Sequence, residues 1–200
     1  MGRSSKKDAE RHRQEIVAAS ARLFRERGIG GVSVPELMSA AGLSHGGFYG
    51  HFASKSALAA EAIDAASREM SEKLAGSIAA HPGNCKAGFA ALIDTYLSPQ
   101  HRDHPGEGCP VSALIDYARD ADSAELEAAY VAGVERMVDG VQQALPVGAD
   151  RAEALATLAT MVGGLMLARA TTGTPLSDAF LAAVRRHLEA PGVEPGAAKK

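Results

Sequence analysis

Cysteine and aromatic side chains are scarce in this 200-residue chain, which has two cysteines, no tryptophan and a 4% aromatic share. Cys85 and Cys109 are too few for a disulfide scaffold, and no CxxC pair is present for zinc or redox work. Sustained period-2 runs rich in Val, Ile and Thr are missing, which argues against a β fold. No long uninterrupted apolar run occurs either. The most apolar stretch, Ala152–Ala170, is broken by Glu153, Gly163, Gly164 and Arg169, and it reads as a buried helix rather than a membrane span. The opening residues MGRSSKKDAERHR lack the apolar core of a signal peptide, and Lys6 stands where a myristoylation motif requires Ser or Thr. A soluble cytoplasmic protein with no membrane partner and no cofactor is expected. There is no Gly-x-Ser-x-Gly elbow, phosphate-binding loop or His-Glu-x-x-His element, so no enzyme is expected.

What is present is an unevenly charged, strongly helical sequence. The net charge of −3 hides a division. Residues 1–60 carry nine Lys/Arg against five acids, a balance of +4, whereas the other 140 residues carry 12 against 19, a balance of −7. A basic end on an acidic body points to an anionic partner at that end.

Apolar residues at three- and four-residue intervals predict about nine helices. Residues 8–27 place Ile16, Ala19, Leu23 and Phe24 on one face, with Gly28 as the C-terminal cap. Ser33-Val34-Pro35-Glu36 reads as a capping box opening a second helix. Gly42 supplies a left-handed turn, and Ser44 is placed to cap a third short helix reaching about Phe52. A long helix is expected over Ser54–Ala80, followed by helices near 85–97, 111–119, 122–145, 150–171 and 177–189. The segment Ser98–Pro110 reads as a loop, and 191–200 as a disordered tail. The expected architecture is all-α, with a three-helix head over 1–53 and a helical body over 54–190.

The segment Val34–Phe52, a short helix, a Gly turn and a second short helix, has the form of a helix-turn-helix. Leu37, Met38, Phe48 and Phe52 would face its core, leaving Ser44, His45, Tyr49 and His51 outward. Lys55 opens the next helix, where its ammonium and the free amides suit a phosphate. The run GIGGVSVPELMSAAGLSHGGFYGHFASKSAL, Gly28–Leu58, resembles the TetR family of bacterial transcriptional regulators. It carries the capping Ser, the Ala-Gly-Leu-Ser turn, the Tyr, the His-Phe pair and the Lys before Leu. The resemblance implies a double-stranded DNA operator as partner, with Tyr49 and Lys55 on phosphates. It places Ser33, Ser44, His45, Gly46, Gly47, Gly50 and His51 at or near DNA. One departure stands out: Gly46, Gly47 and Gly50 each cost roughly 1 kcal/mol relative to Ala within a helix. The recognition helix is thus expected to be marginal without DNA. No Arg, Asn or Gln is offered for bidentate base contacts, so His45, Ser44, backbone approach and DNA shape would carry base reading.

For the body, the resemblance implies homodimerisation through the last two helices and a small-molecule pocket. The seam expected is Leu155, Leu158, Val162, Leu165, Met166, Phe180, Leu181, Val184 and Leu188, with intramolecular core as the competing role. The pocket candidates, chosen by character, are Leu92, Tyr96, Leu114, Tyr117, Tyr130, Met137 and Met161. Cys109, near a helix start with Arg102 or a protonated His nearby, is either a redox or electrophile sensor or an inert buried thiol. The spacing of His101, His104 and Cys109 matches no closed zinc signature, so no metal is expected. The reading is a ligand-responsive repressor; the competing class is a helical small-molecule-binding or scaffold protein with little DNA affinity.

Overall fold

The computed structural model describes residues 6–119, 123–146 and 148–190. The tail at 191–200, and Asp120 and Asp122, lie outside the described residues. Among the described residues the regular structure is entirely helical. The helices are α1 (Lys6–Arg27), α2 (Val34–Ala40), α3 (Lys55–Ala79), α4 (Cys85–Tyr96), α5 (Pro99–Asp103), α6 (Pro110–Ala113), α7 (Ile115–Arg119), α8 (Ala124–Ala144), α9 (Arg151–Ala170) and α10 (Pro175–Glu189). Two 3-10 segments, His45–Gly50 and Pro105–Glu107, complete the set.

Local chemistry explains most of the boundaries. The Ser33–Glu36 capping box starts α2, and a second box formed by Asp150 and Glu153 starts α9. The Ser54 hydroxyl accepts from the Ala57 N–H at the start of α3. Gly28 and Gly42 hold φ values of 75° and 73°, in the left-handed region that ends α1 and turns the chain after α2.

Three expectations need correction. The Ser98–Pro110 loop contains α5 and a 3-10 turn, because the Ser98 hydroxyl accepts from the His101 N–H and Pro99 pre-sets the first helical φ. The helix expected over 111–119 is divided at Leu114, whose backbone leaves the helical region; its side chain is buried in the core of the head. Ser44 makes no side-chain cap.

Two apolar cores share α3. Ile16, Phe24, Leu37, Phe48, Leu58 and Ile63 belong to the first, which joins α1, α2, the 45–52 segment and the front of α3. The second is the body core, where Met70 and Leu74 of α3 meet α4, α8, α9 and α10. α9 is long and apolar enough to cross a membrane by length and composition, yet Ala154, Leu158, Met161, Val162, Leu165 and Ala168 lie in this core. Gly164 lets α10 approach, since a Cβ there would stand 2.8 Å from Val184.

Head and body also meet directly. The Tyr117 ring covers Gly28 so closely that a Cβ at Gly28 would lie 2.0 Å from its hydroxyl. The buried Arg25 guanidinium donates to the Gly108 carbonyl at 2.8 Å and to Glu69 at 3.2 Å, while its Nε donates to the Ala21 carbonyl at 3.0 Å.

Candidate nucleic-acid interface

Phe48 and Phe52 are buried, with ring centroids 5.8 Å apart, and they fix the 45–52 segment onto the head. This leaves Ser44, His45, Gly46, Gly47, Tyr49 and Gly50 exposed and His51 half-buried. Tyr49 is 78% exposed and touches the edge of Phe48, with centroids 5.2 Å apart and planes at 87°. An aromatic side chain that could have been buried is instead presented to solvent. The expected recognition α-helix is a 3-10 segment. Three glycines in six residues supply little helix propensity, and a 3-10 turn is the short form such a sequence adopts. A Cβ at Gly46 or Gly50 would meet nothing within 4 Å, so packing in the protein does not require either glycine.

Electrostatics around α2 refine the surface. The Ser33 hydroxyl donates to Glu36 at 2.7 Å, and the Ser33 N–H donates to the same carboxylate at 2.8 Å. These bonds, with Arg27 and Lys55 nearby, hold the Glu36 carboxyl below its ordinary range. Ser33 is therefore committed to its own cap. Lys55, the first residue of α3, faces the same carboxylate and forms no direct ion pair among the described residues.

The basic surface is smaller than the charge count implied. Arg11 pairs with Glu15, Arg13 with Glu61, Arg22 with Glu26 and Arg27 with Glu36, and Arg25 is buried. The buried Arg25 was not foreseen; its place on the face of Ala21 and Leu23 to Phe24 gave only a weak signal.

In the body, the seven pocket candidates are divided between the two cores. Leu92, Tyr96, Met137 and Met161 belong to the body core, Leu114 and Tyr117 pack with the head, and Tyr130 touches both. A groove of about 410 Å³ lies instead between α1 and α3, lined by Arg13, Gln14, Val17, Glu61, Asp64 and Arg68 among others. A small cavity of about 30 Å³, bordered by Met137, Leu74 and Ile78, reaches the edge of the body core. The seam candidates also divide. Leu158, Val162, Leu165 and Leu181 are buried within the single chain; Met166, Phe180, Val184 and Leu188 are half-buried; Leu155 is exposed.

Cys109 is wholly buried. The two cations expected beside it are engaged otherwise: Arg102 pairs with Asp103 and Asp178, and His101 is held neutral. The His101 Nδ1–H donates to the Tyr96 carbonyl at 2.6 Å, and Nε2 accepts from the Cys109 N–H at 2.8 Å. Burial pushes this imidazole down to about 4. The Tyr96 hydroxyl lies beside Cys109 and Ser112 with no well-aligned hydrogen-bond partner among the described residues, and its burial keeps it well above the ordinary phenol range. Among the described residues no group of His, Cys, Asp and Glu could hold a metal ion.

A two-helix motif with a buried aromatic anchor and an exposed polar segment, on a body whose described residues are helical, has the form of a helix-turn-helix protein. The family described as bacterial regulatory proteins, tetR family, matches residues 16–62. An uncharacterized HTH-type transcriptional regulator of Mycobacterium tuberculosis is 30% identical over 167 residues, 78% of this chain and 84% of that protein. The HTH-type transcriptional regulator AcrR of Shigella flexneri is 39% identical over 61 residues, which is 30% of this chain but only 28% of that protein. A TetR transcriptional regulator from Chloroflexus aurantiacus superposes with a TM-score of 0.73 at 26% identity, covering 92% of this chain and 94% of the other. The reduced form of Escherichia coli NemR gives 0.75 at 20% identity over 89% and 95%, a likeness of fold. The chain belongs to the TetR family of bacterial transcriptional regulators.

Proposed function

We propose that this regulator is a cytoplasmic repressor that binds a palindromic operator as a homodimer and is released by a small molecule taken into its body. The head is residues 1–53 and the body 54–190. The observation that carries the reading is Tyr49, exposed on a segment whose two phenylalanines are buried. Ser44, His45, Tyr49 and His51 then meet the major groove, with Gly46, Gly47 and Gly50 allowing close backbone approach, and Lys55 meets a phosphate. Ser33 contributes by fixing α2 rather than by lending its hydroxyl to DNA.

The dimer is supported by an apolar face on α9. Leu155, Ala156, Ala159, Gly163, Met166 and Leu167 recur at helical spacing and all remain at least partly exposed in the single chain. The seam therefore narrows to this face, with Leu158, Val162, Leu165 and Leu181 forming the layer beneath it. The effector site is supported by Tyr96, whose buried hydroxyl lies beside Cys109 and Ser112 with no well-aligned partner among the described residues. Footprinting of the DNA upstream of the chain's own coding sequence tests the reading. Two protected half-sites related by a dyad are expected. Absence of protection at low salt would favour a helical binding or scaffold protein with little DNA affinity.

A further inference from the structure

We propose that Arg13 is a positioning residue of the DNA-binding head: a planar clamp that holds the end of the recognition segment in register with α1 and α3. The inference rests on the DNA-binding reading above and adds a residue to it. The guanidinium carbon of Arg13 lies 4.6 Å from the centroid of the Phe52 ring. Its two terminal nitrogens fork onto the two carboxylate oxygens of Glu61 on α3. That hydrogen bonding is the main cause that raises the Arg13 pKa, so the clamp is charged at every working pH.

The clamp acts where the segment is weakest. His45–Gly50 is a 3-10 turn carrying three glycines, and a side chain at Gly46 or Gly50 would touch nothing. Its fixed points are therefore Phe48 and Phe52, both buried and 5.8 Å apart. A continuous path runs from the Glu61 carboxylate through Arg13 and Phe52 to Phe48, and then to Tyr49 across their edge contact. Arg13 thus controls Tyr49 without reaching DNA itself. A Lys at this position would keep the charge but lose both the planar stack and the bidentate fork.

The test uses the full chain with Arg13→Lys and Arg13→Ala, alongside Lys55→Ala. Hydrogen exchange reads the segment without DNA. The Phe52 and His51 amides, both bonded to the Phe48 carbonyl, should exchange faster in both Arg13 variants, while α8 and α9 amides keep wild-type protection. Operator affinity should fall roughly tenfold in both. The slope of log affinity against log salt should stay at the wild-type value, whereas Lys55→Ala lowers it by about 1 per head. Wild-type exchange in Arg13→Lys, or wild-type affinity in that variant, overturns the clamp. So does a reduced salt slope in Arg13→Ala, which would make Arg13 a direct phosphate contact. If wild-type protein itself protects no DNA, the DNA reading fails and the exchange result alone judges the clamp.

Discussion

His101 shows how a single buried side chain ties stability to pH. Its ring spends both nitrogens, one donating to the Tyr96 carbonyl and one accepting from the Cys109 N–H, and only the neutral ring can do both. The folded value near 4 lies below the ordinary 6.5, so the unfolded chain takes up a proton first as pH falls. The stabilisation is complete above about pH 6.5 and is lost progressively between there and pH 4, by roughly 3 kcal/mol in all. Urea midpoints at pH 7.5 and 5 should therefore differ, and His101→Phe should flatten the difference. An unchanged pH slope in that variant would assign the effect elsewhere. The same geometry bears on Cys109. Its thiol is wholly buried, and its backbone N–H is held by the neutral His101 ring, whereas a reactive cysteine needs access to solvent.

At the scale of elements, the recognition segment trades order for access. Gly46→Ala and Gly50→Ala place a methyl where nothing lies within 4 Å, so neither should clash in the free protein. Each should raise stability by up to about 1 kcal/mol while weakening operator binding, because the methyl meets DNA. Thermal melting and gel shifts on the same variants check this, and a gain in both quantities would place these glycines away from DNA. The Ser33–Glu36 capping box, the glycine turns at Gly28 and Gly42 and the outward Tyr49 were legible in the sequence, since each depends on residues a few positions apart. The 3-10 form of the segment was half legible, as weak helix propensity without its outcome. The break at Leu114 and the burial of Arg25 were not, because both answer to partners far along the chain: the head core for one, Gly108 for the other. The seven pocket candidates are divided between the two cores for the same reason. Apolar character identifies core residues without saying which core receives them.

For the whole molecule, net charge was a poor guide until divided, and even the basic head keeps fewer free cations than its composition suggests. What the proposed assembly adds is a second head. Leu155 and Leu167 are each about half exposed in the single chain, 49% in both cases, so Leu155→Glu and Leu167→Glu should leave the fold intact. Sedimentation at micromolar concentration should show a wild-type dimer and a shift to monomer in these variants, with operator affinity falling together with dimerisation. A wild-type monomer would contradict the proposed assembly. In the proposed ligand response, the contacts of Gly28 with Tyr117 and of Arg25 with Gly108 would join body and head beside α3.

In the proposed function the surface from Ser44 to Lys55 binds the DNA backbone and groove. The affinity of the full chain for its own upstream DNA, measured from low to moderate salt with Lys55→Ala in parallel, tests it most directly. Wild-type affinity is predicted to fall steeply as salt rises, and the variant to show a slope shallower by about 2 for a dimer with two heads. Binding that ignores salt, or an unaltered slope in Lys55→Ala, would contradict it.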